Sequence, residues 1–202
     1  MSETQDHYYT KNPKSQLIVK ETIIRLKNDH QYLFKSPSGV FAFGKANRAT
    51  ECLLNNFVIN GRDLLDLGCG YGAVGIICKK ENPLLRLHMS DINERAVSFA
   101  KENSLHHNIQ AEIKAGDLFE PWAGYLFDMI LFNPPLAAGK EVWMRAVKNA
   151  FVQLKEKGTI QIVAYHNKGG KRIMFYMKEI FANVKTLVKS GGIRVYLSER
   201  HE

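Results

Sequence analysis

The chain has 202 residues, 45% of them hydrophobic and 24% charged, with a formal net charge of +8. That length makes one domain, with room for a small appendage and a core that needs neither disulfide nor metal to hold it. No apolar run approaches the roughly 20 residues of a membrane span, and the polar stretch from Met1 to Asn12 has no secretory core, so a cytosolic protein is expected. The positive charge suits a polyanionic partner. Lys11, Lys14, Lys20, Arg25, Lys27, Lys35, Lys45 and Arg48 crowd the first 48 residues, and Lys168, Lys171 and Arg172 surround a Gly-Gly turn. Cys52, Cys69 and Cys78 form no metal-ligand spacing with histidine, so neither metal nor thiol chemistry is assigned.

In chain order, Leu17 to Arg25 alternates apolar and polar residues partway, Asn28-Asp29-His30 reads as a turn, and Gln31 to Lys35 is the returning strand. Ser36-Pro37-Ser38-Gly39 makes a second turn before a third strand, Val40 to Phe43. Residues 1–46 are therefore expected to form a small β meander packed on a main domain of residues 47–202. A helix capped by Asn47 or Thr50 should run through Ile59 and stop at Asn60-Gly61. Alternation then predicts strand 62–67, helix 72–82, strand 84–90, helix 93–107, strand 109–115, strand 126–132, helix 139–155, strand 159–165, helix 169–181, strand 183–189 and strand 193–199.

Repeated strand–helix units imply a parallel sheet with right-handed crossovers. Only Ser190-Gly191-Gly192 separates the last two strands, which must then pair as an antiparallel hairpin. The expected fold class is α/β, a doubly wound, seven-stranded, mostly parallel sheet with an antiparallel terminal strand. That is not the usual dinucleotide-binding topology.

Two motifs fall at the carboxyl ends of strands, where ligands bind in such sheets. Asp66-Leu67-Gly68-Cys69-Gly70-Tyr71-Gly72 joins the first of these strands to its helix. Gly70 to Gly75 also fits G-x-G-x-x-G, but a carboxylate at Asp66 would repel a pyrophosphate held at the helix N-terminus. The same carboxylate would attract an ammonium. S-adenosylmethionine carries an ammonium and a sulfonium and no phosphate, and Gly68 and Gly70, with Tyr71 beside them, let the backbone come close to it. Asp91 ends the second strand about 20 residues further on, where a carboxylate accepts from both ribose hydroxyls. Asp117 suits the adenine amino group, or is a turn or helix-cap aspartate. Ile92 and Leu118 supply apolar walls.

The second motif is Asn133-Pro134-Pro135-Leu136. An exocyclic amine on a base is a poor nucleophile because its lone pair is delocalised into the ring. The side-chain oxygen of Asn133 and the carbonyl of Pro134 can accept from its two N–H groups and draw the nitrogen toward tetrahedral geometry. Pro134 and Pro135 stiffen the loop, so the acceptors are oriented before binding.

Asp66 to Gly72, Asp91, Gly116-Asp117 and Asn133-Pro134-Pro135 resemble the ordered motifs of class I S-adenosylmethionine-dependent methyltransferases. Within that class, His7-Tyr8-Tyr9, Pro13-Lys14-Ser15, Ser38-Gly39-Val40-Phe41 and the run from Asn133 to Glu141 are similar to the ribosomal small-subunit RNA guanine-N2 methyltransferases. The chain resembles the shorter, single-domain archaeal-type members. The resemblance implies an N-methyltransferase that acts on guanine N2 in ribosomal RNA. Leu136 stands where adenine-N6 and protein glutamine-N5 methyltransferases carry an aromatic residue, which weighs against those two alternatives. A non-catalytic RNA-binding protein of the same fold and a nucleotide-dependent oxidoreductase are the other readings. For RNA contact, Leu136, Lys140, Lys168 and Lys171 are candidates, together with Arg145 and His166. Tyr8, Tyr9 and Phe43 are either stacking platforms or core.

Overall fold

The computed structural model describes residues 10–202, so Tyr8 and Tyr9 lie outside the described residues. Strands β1 (Val19–Arg25) and β2 (Gln31–Pro37) pair antiparallel, with Val19 opposite Pro37 and Arg25 opposite Gln31. Ile24 and Phe34 on the inner face are fully buried, in one core with Leu64, Ile76 and Ala100 of the main sheet and its helices. The expected third strand, Val40 to Phe43, does not form. Gly39, Ala42 and Gly44 have φ of 74°, 61° and 66°, left-handed values that a strand does not allow. The Gly44 N–H donates to Ser36 Oγ at 2.9 Å instead of joining a ladder.

The main sheet holds β3 (Asp63–Leu67), β4 (Arg86–Asp91), β5 (Ala111–Ala115), β6 (Phe127–Phe132), β7 (Leu154–Tyr165), β8 (Lys185–Ser190) and β9 (Ile193–Glu199), in the order β5-β4-β3-β6-β7-β9-β8. Strands β3 to β7 are parallel, whereas β9 runs antiparallel to both of its neighbours. The antiparallel strand thus lies inside the sheet, second from one edge. From β3 the chain winds outward through β4 and β5, then returns as β6 on the other side of β3. The crevice between the carboxyl ends of β3 and β6 is therefore the switch point.

Helices α1 (Arg48–Leu54), α2 (Ala73–Glu81) and α3 (Glu94–His106) cover one face, and α4 (Lys140–Gln153) and α5 (Gly170–Phe181) the other. Every residue of β3 is buried, and its side chains alternate between the two cores: Leu64 packs with the first set, Leu65 and Leu67 with the second. Helix α1 is capped by Asn47, whose Oδ1 accepts from the Ala49 and Thr50 N–H groups, and it stops at Leu54 rather than Ile59. The side chains of Asn55 and Asn56 turn back to the Glu51 and Cys52 carbonyls at 2.7 and 2.8 Å and end it there. Strand β7 begins five residues earlier than the pattern predicts, with an irregular register opposite Phe127 to Met129 and Lys157 at φ 61°.

Candidate active site

Strand β3 carries Asp66 to the crevice. Its carboxylate is 3% exposed and accepts from the Gly75 N–H, in the first turn of α2, at 2.8 Å. Burial pushes its pKa up to about 7, the Gly75 bond opposes the rise, and the nearby charge of Asp91 adds to it. Gly68, Gly70 and Gly72 in the following loop have φ of 66°, 57° and 91°, which side chains rarely adopt. Gly75 serves packing, since a Cβ there would stand 2.8 Å from Met89 Sδ and 2.9 Å from Leu87 Cδ1 on β4. The Tyr71 ring turns into the core toward Phe34, 5.9 Å between centroids, so this residue offers its backbone to the crevice.

Asp91, at the end of β4, grips the glycine loop. One oxygen accepts from the Gly70 N–H at 2.8 Å and the other from the Asn93 N–H at 2.9 Å. Burial raises its pKa as well, against the pull of these backbone bonds. Among the described residues no Lys, Arg or His forms an ion pair with Asp66 or Asp91. Asp117 differs: its carboxylate pairs with Arg145 of α4. Arg145, a candidate for phosphate contact in the sequence, is held in this pair. Leu118 beside it takes φ 51°, and its carbonyl accepts from Ser90 Oγ at 3.3 Å.

Across the crevice, the Asn133 side chain donates from Nδ2 to Thr50 Oγ1 at 3.3 Å, and its Oδ1 accepts no hydrogen bond from the described residues. The Pro134 carbonyl already accepts from the Leu136 N–H at 2.9 Å, which leaves it one further lone pair. The Pro135 carbonyl accepts from the Ala138 N–H at 2.8 Å, and Leu136–Ala138 form a short 3-10 turn into α4.

One cavity, about 1190 Å³ with its open mouth, collects Asp66, Gly68, Gly70, Tyr71, Asp91, Ile92, Asp117, Leu118, Asn133, Pro134 and Pro135. The six candidates for RNA contact, Arg145 and His166 included, stand outside its lining. Leu136 lies against Gly169, where a Cβ would come 3.4 Å from Leu136 Cδ1. Lys140 is exposed at the start of α4, and the Lys168 and Lys171 ammoniums sit 5.8 and 5.9 Å from the rings of Tyr165 and Phe175. His166 is half-buried with Nδ1 2.7 Å from the Tyr196 hydroxyl, and half-buried Phe43 lies under the Lys20 ammonium at 4.9 Å.

The cavity residues that sequence reasoning missed include Val74, Ser90, Phe132, Ala138 and Val142 of the main sheet and its helices, and a group that precedes β3. Val40, Phe41, Ala42 and Thr50 line the cavity. Arg95 straps this region down, donating to the carbonyls of Pro13, Ser15 and Ser38 at 3.1, 2.7 and 2.9 Å, while Asn93 Nδ2 donates to Gly39 at 2.9 Å. Buried Asn103 ties the Tyr71 carbonyl to that of Lys35, both at 2.9 Å. Val40 and Phe41 had a sequence signal in the Ser38-Gly39-Val40-Phe41 resemblance and Thr50 as a candidate helix cap; Asn93 caps α3, its Oδ1 accepting from the Ala96 N–H at 3.1 Å.

A seven-stranded sheet with one reversed strand, and a cavity at its switch point built from a glycine loop, two acids without a cation and an Asn-Pro-Pro turn, define a Rossmann-like domain with a ligand site. The chain belongs to the methyltransferase small domain family, whose profile matches residues 31–197. It is 30% identical over 200 residues to the uncharacterized protein YbxB of Bacillus subtilis (strain 168), covering 96% of this chain and 98% of that one. It is 32% identical over 164 residues to the ribosomal RNA small subunit methyltransferase C of Haemophilus influenzae (strain PittGG), covering 78% of this chain and 48% of that one. The chain thus spans about half the length of the methyltransferase C relatives it matches. Among solved structures, a T. thermophilus 16S rRNA N2 methyltransferase (RsmC), in complex with AdoMet and guanosine, superposes with a TM-score of 0.78 at 23% identity, over 94% of this chain and 52% of that one. Among the described residues no helix is long and apolar enough to cross a membrane, and no cluster of His, Cys, Asp or Glu suits a metal.

Proposed function

We propose that this chain transfers a methyl group from S-adenosylmethionine to guanine N2 in ribosomal RNA, in the cytosol. The observation that carries the reading is one cavity with Asp66 and Asp91 on one wall and Asn133 on the other. Two buried carboxylates without a cation fit a ligand that brings its own ammonium and ribose hydroxyls. Asp66 would face the ammonium, Asp91 the ribose, Ile92 and Leu118 the adenine faces, and Gly68 and Gly70 allow close approach of the backbone. Asp117 would receive the adenine amino group with Arg145 steadying its carboxylate. When bound, S-adenosylmethionine supplies an electrophilic methyl on sulfur.

The chain's own residues orient the acceptor. Asn133 Oδ1 and the remaining lone pair of the Pro134 carbonyl accept from the amine's two N–H groups, and the two prolines hold that geometry before substrate arrives. The methylated amine sheds its proton readily, so no strong base is needed. Lys140, Lys168 and Lys171 supply exposed positive charge for phosphate, and Leu136 an apolar face for the base. The names of the methyltransferase C relatives and the guanosine in the RsmC complex support a ribosomal RNA guanine as the target.

The test is transfer of labelled methyl to undermodified ribosomal RNA, followed by nucleoside analysis. N2-methylguanosine is expected with the wild type. With Asn133→Ala it should fall by about a hundredfold or more while cofactor affinity stays near normal. A different methylated nucleoside would overturn the guanine assignment, and full turnover by Asn133→Ala would overturn the amine-orienting role.

A further inference from the structure

Thr50 reads in the sequence only as a candidate helix cap, and the structure gives that task to Asn47. Thr50 instead lines the cavity, 7% exposed, with its Oγ1 on Asn133 Nδ2 at 3.3 Å. The two residues are 83 positions apart, so nothing local forces the contact. Thr50 is fixed from behind, since its N–H donates to Asn47 Oδ1 at 3.1 Å and its β-branched side chain has few choices of χ1.

The physical need for such a contact lies in the amide of Asn133. Its two ends are nearly the same shape but opposite in hydrogen-bonding sense. Turned one way, it offers Oδ1 to an amine's N–H. Turned the other way, it sets Nδ2 against the amine, donor against donor. Pro134 and Pro135 restrict the backbone after Asn133 but leave its side-chain torsions free. We infer that Thr50 is a positioning residue: its hydroxyl oxygen accepts from Asn133 Nδ2 and so fixes the side-chain torsions that aim the outer end of the amide, Oδ1, at the substrate amine. The inference rests on the amine-transfer reading above and adds the residue that sets its geometry.

The test uses Thr50→Val, which keeps the branched shape and removes the hydroxyl, and Thr50→Ser, which restores it. The first readout needs no substrate. In the 15N-labelled protein, the side-chain amide signals of Asn133 are identified by their loss in Asn133→Ala. They should shift to free-amide positions and exchange faster with water in Thr50→Val, and return in Thr50→Ser. The second readout is kinetic. Thr50→Val should lower kcat for methyl transfer to ribosomal RNA by about ten- to a hundredfold, with KM for RNA and affinity for S-adenosylmethionine unchanged, and Thr50→Ser should recover it. Added to Asn133→Ala, Thr50→Val should cost nothing further, because two residues acting through one contact are not additive. Unmoved amide signals, or a loss of cofactor affinity with kcat intact, would overturn the assignment and make Thr50 a cofactor contact. A wild-type protein that labels no RNA would defeat the proposed function alone, since the amide signals still decide the Thr50–Asn133 contact.

Discussion

Asp63 opens β3 and Asp66 stands three residues along the same strand, yet the two carboxylates meet opposite conditions. Both are buried, at 5% and 3% exposure. Asp63 receives Arg86 Nε and Nη2, each at 2.5 Å, and the Lys155 ammonium at 2.6 Å. The Arg86 bonds hold its carboxyl well below the usual range against the opposing effect of burial, and Lys155 adds to them. Asp66 has a single backbone N–H and no cation, and burial lifts its pKa to about 7. The amino end of β3 thus satisfies its acid with two cations, whereas Asp66, toward the carboxyl end of the same strand, has none. A buried acid without a partner costs stability, and a fold tolerates it where a ligand completes the set.

Breaking the open end should have the larger effect. Asp91→Ala removes the ribose acceptor and the grip on Gly70 and Asn93, so affinity for S-adenosylmethionine, measured by calorimetry, should fall by about ten- to a hundredfold. Unchanged affinity would mean that the glycine loop does not need this carboxylate. The pH dependence sharpens the contrast. An ammonium ligand favours the ionised form of Asp66, so affinity should climb as pH rises toward about 7 and level off above it, and Asp66→Asn should flatten the curve.

Without ligand the sign is reversed. A raised carboxylate pKa favours the folded state at low pH, so this contribution fades as pH rises from about 4, the unfolded value, through the folded value of about 7. The smallest effect is expected at the closed end. Asp63→Asn should lower Tm by a few degrees at neutral pH with cofactor affinity unchanged. Because the folded pKa of Asp63 is depressed, its contribution is present above about 4 and lost as pH falls below it, so the two melting curves should converge in acid.

The same contrast explains what was legible in the sequence. Asp66, Asp91 and Asn133 end hydrophobic strands, and alternation alone brings such ends to one side of a sheet. The seven strands and the reversal of the last one followed from period and from a three-residue turn. The position of β9 between β7 and β8 did not, because a hairpin does not say on which side of the sheet it docks. Val40 to Phe43 has strand composition, but Gly39, Ala42 and Gly44 fold it over the glycine loop, and Asn93 and Arg95 hold it there from more than fifty positions away. The Arg145–Asp117 pair, 28 positions apart, likewise has no local signature. Strand ends were readable because they are local. The contacts that close the site over them are not.

The insertion of β9 also sets an order of assembly as the chain leaves the ribosome. Strand β8 is synthesised first, but its neighbour in the finished sheet is β9, so it has nothing to join when it emerges. Until Ile193–Glu199 follow, β7 keeps Thr159–Tyr165 open on one side, beside the elements that carry Asn133 and its loop. An open edge of that length is a template for any other extended chain, including a second nascent copy. Of the seven strands, β9 is therefore the one that closes the open side of β7 and gives β8 its place in the sheet.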